Sequence, residues 1–381
     1  MKILIVRTFP SIMNIAHYNV QEIGLAKALV REGHECGIVF YNGFHKSRVE
    51  EIAVDGTDGK VRVYWLRGLN LAKNGVFFGL SAIAKRYDVI QVHEYDQLTS
   101  WWYYSFRKQP VVIYHGPYDC EFNRGYNLKC KIFDHTFLKL CRRKNVMCLT
   151  KSPLAAEFLQ KRGFHNVHSV GVGLDTTVYE AEKEQKTESA GLRLLYVGKI
   201  EERRNVYFIE KIMRSLMEYP DITLTMVGNG DADYVQTYLK VIDDLIQAGK
   251  IRHIPAVKQQ DMGEVYSSHD VLLFPTNYDI FGMVLLEAMY CGMTCISSVN
   301  GGASCLIRDG ENGIIIEEFD VQQWKNTVLE LTADRIKLSE MKVNAGESIR
   351  ENATWQTIAK EFLKYYKMCM KNDSSEHLEA D

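Results

Sequence analysis

The sequence predicts an α/β protein of two Rossmann-like domains, each a mainly parallel sheet covered by helices, and three observations predict it. Short apolar runs alternate with amphipathic stretches from the first residues onward. The alternation stops at a polar stretch between residues 181 and 190, then starts again. The 381 residues also exceed what one hydrophobic core ordinarily serves and suit two domains of roughly 150–200 residues.

The elements run in order along the chain. MKILIV is a first strand, and Arg7 and Pro10 end it too early for a signal-peptide core. Residues 20–32 (VQEIGLAKALVRE) place apolar side chains at helical spacing and stop at Gly33. Further strands are read at ECGIVFY, KVRVYWL, DVIQVH, PVVIYHG, NVMCLT and NVHSVGVGLD. Runs this apolar are buried on both faces, as parallel strands under helices are. The stretch EKEQKTESA has no apolar period and reads as a linker. Strands then resume at LRLLYVG, ITLTMVG, KIRHIPA, DVLLFPT, MTCISSV and GIIIEEF, with helices over 206–219, 262–267 and 282–290. The expected division is a first domain over 1–180, a linker over 181–190 and a second domain over 191–355. A helix over 356–370 is expected to pack back on the first domain, with a disordered tail over 371–381. Folds of this type take ligands in the cleft that the two domains face across.

Composition removes several function classes. A hydrophobic content of 46% with 25% charged residues is that of a soluble globular protein. The net charge of −2 provides no global basic field for nucleic acid. No run approaches the ~18 apolar residues that span a bilayer, so a cytoplasmic protein is expected, at most peripheral to the inner membrane face. Nine cysteines without a C-x-x-C pair fit reduced thiols. Gly171-Val172-Gly173 and Gly228-Asn229-Gly230 lack the third glycine of a dinucleotide fingerprint, which disfavours a NAD enzyme.

The chemistry concentrates in residues 275–292, PTNYDIFGMVLLEAMYCG. Asp279 lies in a polar turn and Glu287 inside an apolar helix, where an unanswered carboxylate costs several kcal/mol. The helix begins near Phe281-Gly282, and a helix start offers N–H groups and a positive dipole to an anion. Gly282 permits close backbone approach. Asp279 to Glu287 spans at most roughly 12 Å at helical rise, a length that suits a nucleotide sugar. Plainer readings stand beside this one: Asp279 as a helix cap, and Glu287 paired with a nearby base. Lys199 and Arg204, after the strand LRLLYVG, sit where cations can neutralise a diphosphate, or else form part of a solvated charge run with Glu201, Glu202 and Arg203.

The order VGK-x4-R, TLTMVGNG, PTNYDIFGMVLLEAMYCG and NGGASCLIRDGENG resembles the retaining glycosyltransferases of family 4, the GT-B fold, and the likeness extends over most of the chain. The first half adds RTFP, GHEC, DVIQVHE, VVIYHGPY and KSPLAAEFLQKRG with GVGLD after it. The resemblance implies that Lys199 and Arg204 hold the donor diphosphate and that Glu287 binds the ribose hydroxyls. It implies Asp279 near the transferred sugar, the backbone of Phe281, Gly282 and Met283 on sugar and phosphate, and His115 beside the donor sugar. Asp279 and His115 are thereby the candidate catalytic residues. Three departures accompany it. Asp279 replaces a longer Glu, Lys199 stands where Arg is commoner, and SIMNIAHYN at residues 11–19 lacks the Gly-Gly expected after the first strand, leaving His17 or Asn19 as substitutes.

The reaction that the resemblance implies is retaining transfer of a hexose-type sugar from a UDP- or GDP-sugar to a glycan or polyprenyl-linked glycan, in cell-surface polysaccharide or glycolipid synthesis. No metal or other cofactor is expected. The rivals are a metal-dependent transferase using Asp231-Ala232-Asp233 and a non-catalytic sugar-nucleotide binder. Residues 124–144 (RGYNLKCKIFDHTFLKLCRRK) join seven cations and one acid to an apolar stripe of Phe133, Phe137, Leu138, Leu140 and Cys141. That pattern suits an anionic membrane surface, or a helix packed into the first domain. Trp101 to Tyr104 reads as helix core, and a contact with the nucleotide base is expected from residues 253–258.

Overall fold

The computed structural model describes residues 1–15, 20–141, 145–179 and 191–378, with side chains to residue 371. The linker 181–190, His17, Asn19 and residues 142–144 of the basic stretch lie outside the described residues. Two compact units emerge, Met1–Asp175 with Thr354–Asp381, and Thr176–Ala353. The boundaries therefore fall at Asp175 and Thr354 rather than at 180 and 356.

The first unit carries β1 (Lys2–Val6), β2 (Glu35–Tyr41), β3 (Arg48–Ala53), β4 (Lys60–Leu66), β5 (Gly68–Leu71), β6 (Asn74–Phe77), β7 (Val89–His93), β8 (Val111–His115), β9 (Met147–Thr150) and β10 (Val167–Ser169). Eight of them form one sheet in the order β10-β9-β8-β7-β1-β2-β4-β3. All neighbours are parallel except β3 and β4, and β5 and β6 make a separate antiparallel hairpin. RVEEIA of β3 and GLNL of β5 escape an apolar-run reading because they are largely exposed, while the mostly buried NGVF of β6 is short and opens with Asn and Gly. The helix Trp355–Leu378 returns to this unit and continues through Leu378, past the point where a tail is expected. Its first residue explains two glycines: a Cβ at Gly24 or Gly173 would lie 2.1 or 2.5 Å from Trp355. Only glycine leaves room for that indole.

The second unit carries β11 (Leu192–Val197), β12 (Ile222–Val227), β13 (Ile251–Ile254), β14 (Val271–Phe274), β15 (Thr294–Ser298) and β16 (Ile314–Ile316). Its six strands are all parallel, in the order β13-β12-β11-β14-β15-β16. Leu194, Leu224, Val271 and Ile296 are fully or almost fully buried, as the apolar runs require. The chain moves outward from β11 through β12 and β13, then returns to β14 on the other side. The order thus reverses between β11 and β14, and the carboxyl ends of strands at such a point are where open α/β sheets bind ligands.

Candidate functional site

The segments that follow β11 and β14, two loops and the helix Met283–Tyr290, carry every predicted donor-site residue of the second unit. After β11 the backbone passes Gly198 (φ +154°), beside Gly228 (φ +146°) at the end of β12. A Cβ on Gly228 would stand 1.9 Å from the Gly198 carbonyl oxygen, so the two strand ends converge only as glycines. Lys199 comes next and is exposed, with no ion pair for its ammonium among the described residues. A 3-10 turn, Glu202–Arg204, then ends at Asn205 in the left-handed region, and Arg204 points back across the loop.

Arg204 and Asp279 form an ion pair, their side chains 15% and 14% exposed. The Arg204 guanidinium also lies 5.3 Å over the Phe274 ring. Its Nε is buried and has no partner among the described residues. Asp279 Oδ1 accepts the N–H groups of Phe281 (3.2 Å) and Gly282 (2.8 Å). Asp279 thus closes the turn ahead of the helix rather than capping it: the N-cap is Gly282, without a side-chain cap bond, which corrects the cap reading, and the Asp279 charge is answered by Arg204. Arg203 locks the same two loops together by donating to the Tyr278 carbonyl at 2.7 Å, while Asn277 N–H reaches the Arg203 carbonyl at 3.0 Å.

Gly282 caps the helix Met283–Tyr290 at φ +68°, a conformation that favours glycine. Phe281 buries its ring to 2% exposure, so its backbone is what it can offer a ligand. One and a half turns on, Glu287 is buried at 6% exposure. The Tyr266 hydroxyl donates to its Oε2 at 2.7 Å, which answers the carboxylate inside the apolar helix. Burial and the Glu287 charge together push the Tyr266 phenol well above its ordinary range. The turn Asn300–Gly302 fits beneath the loop, and Gly301 N–H donates to the Asp279 carbonyl at 3.1 Å. A Cβ on Gly302 would lie 1.7 Å from the Phe281 carbonyl oxygen. Gly302→Ala is therefore expected to displace the Asp279–Gly282 loop and destabilise the protein by about 1–3 kcal/mol, measurable as a lowered melting midpoint together with weakened nucleotide binding.

His115 belongs to the first unit, at the end of β8 and fully buried. Its Nδ1 meets Glu94 Oε2, and its ring stacks on Phe158 at 5.2 Å. Its Nε2 is buried without a hydrogen-bond partner among the described residues. Glu94 comes directly after β7 with φ +59°, a left-handed backbone that a non-glycine residue holds only where surroundings enforce it. Here the enforcing contacts are His115 and the Gly116 N–H, 3.2 Å from Glu94 Oε2. Burial pushes Glu94 up, yet His115, Lys151 and that N–H outweigh it and hold the carboxyl below its ordinary value. Glu94, Asp96 and His115 bring three donor atoms within 4.8 Å of one another. Lys129 pairs with Asp96 at 2.7 Å and His115 Nδ1 meets Glu94, so protein groups already engage both carboxylates.

Beside them, Glu22 accepts from Arg7 (3.4 Å) and lies 3.4 Å from His93 Nδ1. Burial brings His93 down to about 4 against the raising effect of Glu22 and Glu94, with Lys151 and Arg7 lowering it further. The unfolded chain protonates its histidine near 6.5 and the folded chain does not. This stabilisation is full above about pH 6.5 and is lost as pH falls toward 4, by about 3 kcal/mol at about 1.36 kcal/mol per pH unit. His93→Gln is expected to flatten the denaturation midpoint across that window in urea titrations at successive pH values.

Two family descriptions divide the chain between them: Glycosyltransferase Family 4 matches residues 23–178 and Glycosyl transferases group 1 matches residues 179–349. The chain belongs to the family 4 glycosyltransferases. An uncharacterized glycosyltransferase of Methanocaldococcus jannaschii is 28% identical over 182 residues, 47% of this chain and 45% of that one. A GDP-mannose-dependent alpha-mannosyltransferase of Corynebacterium glutamicum is 23% identical over 239 residues, 61% of this chain and 54% of that one. The chain thus spans about half the length of the curated relatives it matches. In fold, sucrose-phosphate synthase of Thermosynechococcus elongatus superposes with a TM-score of 0.73 at 16% identity, covering 98% of this chain and 100% of the other. HepE of Anabaena in complex with UDP-glucose gives 0.67 at 16% identity over 97% and 100%. These likenesses make the fold of this family 4 chain GT-B.

Several members of the site are not evident in the sequence of this glycosyltransferase-family chain. Tyr266 comes from the short helix Met262–Ser267 with no motif around it, and Arg203 is one of five charges packed into residues 199–204. Gly301 and Gly302 do carry a signal, since two adjacent glycines shortly after a strand mark a close backbone approach. His253 turns its Nε2 to the Gly228 carbonyl at 2.9 Å, so the segment expected to contact the base is tied to the β12 end. Within the aromatic run, Tyr103 and Tyr104 are core, whereas Trp102 is 51% exposed, which corrects the reading of the whole run as interior.

Proposed function

We propose that the protein transfers a hexose-type sugar, with retention, from a UDP- or GDP-sugar to a glycan or lipid-linked glycan acceptor in cell-surface polysaccharide or glycolipid synthesis. The observation that carries this reading is the convergence of Arg204 and the Gly282 helix start at the point where the strand order of the second unit reverses. A diphosphate there meets a guanidinium, the exposed ammonium of Lys199 and backbone N–H groups. The relative from C. glutamicum named for GDP-mannose and the HepE complex with UDP-glucose support the donor class.

In this mechanism the bond from the anomeric carbon to the phosphate oxygen breaks, and the acceptor hydroxyl attacks the same face. Its proton passes to the departing phosphate oxygen. Arg204, Lys199 and the helix start stabilise the charge that develops on the diphosphate. His115 hydrogen-bonds a hydroxyl of the donor sugar, held in orientation by Glu94. Asp279 is engaged by Arg204 and two N–H groups, which leaves it poorly placed as a covalent nucleophile and favours front-face attack. Metal independence is part of the proposal. Asp231 caps the helix Ala232–Val241 through the Asp233 and Tyr234 N–H groups, both at 3.2 Å, a structural use for the first acid of the rival motif.

The helix Arg124–Thr136 is proposed as the contact with an anionic membrane face. Leu128, Ile132 and, just beyond, Leu140 are 60%, 59% and 63% exposed, among the exposed cations Arg124, Lys131 and Lys139. Leu128→Asp with Ile132→Asp is expected to weaken binding to phosphatidylglycerol vesicles by about tenfold or more, each buried methylene being worth about 0.8 kcal/mol, without changing turnover on a water-soluble acceptor. Transfer of labelled sugar from each donor in the presence of EDTA, with the product's anomeric configuration read by NMR, tests the reaction itself. Inversion, or activity restored only by manganese, would refute it, and binding without transfer would mark a non-catalytic binder.

A further inference from the structure

The hairpin of β5 and β6 and the helix Leu98–Phe106 enclose a pocket of about 380 Å³ in the first unit, away from His115. Val76, Phe77, Leu80, Leu98, Trp101 and Trp102 line it, so its walls are apolar. Of the polar groups in its lining, the Thr99 hydroxyl donates to the Gly75 carbonyl at 2.6 Å and Ser81 accepts from Arg107, while the buried Tyr103 hydroxyl has no hydrogen-bond partner among the described residues. Around the mouth, Phe78, Trp102 and Phe106 are exposed to 48%, 51% and 41%, an aromatic cluster that water does not favour. Trp102 and Phe106 lie 5.0 Å apart and Phe106 lies 5.1 Å from Trp101, whose ring is 5.1 Å from Phe137. The aromatic surface therefore continues to the end of the basic helix Arg124–Thr136.

Exposed charge on these segments is predominantly basic. Arg67, Lys73, Lys85, Arg86 and Lys108 are exposed, and Arg107 is half-buried beside them. The single exposed acid of the same stretch, Asp88, is occupied by the Lys2 N–H at 2.7 Å. A largely apolar pocket with exposed aromatics, built on segments rich in exposed cations, complements an amphiphile with a hydrocarbon chain and an anionic phosphate head.

We propose that this pocket binds the hydrocarbon chain of the acceptor lipid, with its phosphate on the exposed cations of these segments. This rests on the lipid-linked acceptor reading and adds where the chain is held. Trp102 closes one wall of the pocket, and Val76 stands where a larger side chain fills it.

Calorimetry of the full chain with farnesyl phosphate tests the proposal, with inorganic phosphate as the head group alone. The expected result is binding that Trp102→Ala and Val76→Trp each weaken by at least about tenfold at unchanged melting temperature, and that inorganic phosphate does not reproduce. Absence of farnesyl phosphate binding, or binding that both variants leave intact, overturns it. Phosphatidylglycerol vesicles separate the two sources of chain. Vesicle binding abolished by both variants, with farnesyl phosphate not held, makes the pocket a membrane anchor and overturns the proposal. The acceptor reading fails on a different readout, namely transfer to a chain-free oligosaccharide as fast as to a prenyl-linked one, so the two failures are distinguishable.

Discussion

Arg204→Ala is expected to lower kcat by about 10²–10³-fold, the magnitude typical when one preorganised donor to a developing oxyanion is removed. Three features of the site point to a loss this large. The guanidinium is held by Asp279 and by the Phe274 ring, so it needs little reorganisation when a diphosphate arrives. It is mostly shielded from water, where charge-assisted hydrogen bonds are strongest. Its Nε remains buried and unpartnered among the described residues, a donor that a phosphate oxygen could satisfy. Arg204→Lys keeps the charge and loses the planar fork, so it should recover only part of the rate. Steady-state kinetics on the two variants decide the point. Equal activity of Arg204→Ala and wild type would remove the guanidinium from the mechanism.

Glu287→Ala is the second large effect, and it acts on two quantities at once. On the proposal that Glu287 binds the two ribose hydroxyls of the donor, its loss removes charge-assisted hydrogen bonds worth about 1.5–3 kcal/mol each, or about 10²-fold or more in nucleotide affinity. The same change leaves the Tyr266 hydroxyl without its 2.7 Å acceptor inside the core, a cost of about 1–3 kcal/mol in stability. Glu287→Gln retains an acceptor for Tyr266 and should melt near wild type while still binding nucleotide weakly. Tyr266→Phe is the complement: it removes the donor, leaves the carboxylate less restrained, and should weaken nucleotide binding less than either Glu287 variant. A Glu287→Ala protein that melts lower but binds nucleotide normally would assign Glu287 a structural role alone.

The sheet strands were legible because burial on both faces makes parallel strands continuous apolar runs, and MKILIV, DVIQVH and DVLLFP are such runs. RVEEIA and the GLNL–NGVF hairpin were not: RVEEIA and GLNL are largely exposed, NGVF is a buried run of only four residues opening with Asn and Gly, and the pairings lie on an edge or outside the main sheet. At the site, residue types at fixed spacing together with the family resemblance singled out Lys199, Arg204, Asp279 and Glu287 as candidates. Sequence could not show that Asp279 spends its charge on Arg204, because that pair joins loops 75 residues apart. Nor could it show Tyr266 under Glu287, a contact set by how two helices pack. His115 was singled out by the family resemblance of VVIYHG, whereas the left-handed Glu94 that meets it carries no mark in the residue string.

Every step proposed for this chain requires a nucleoside diphosphate to bind where the β11 and β14 loops meet. Thermal unfolding with UDP, GDP and TDP, each with EDTA, on wild type and Glu287→Ala tests that requirement without a known acceptor. One nucleotide is expected to stabilise wild type selectively, by about 2.7 kcal/mol at 100 times its dissociation constant, and to leave the variant unchanged. Stabilisation that appears only with manganese, or that persists in full in Glu287→Ala, would place the nucleotide elsewhere and overturn the reading of this site.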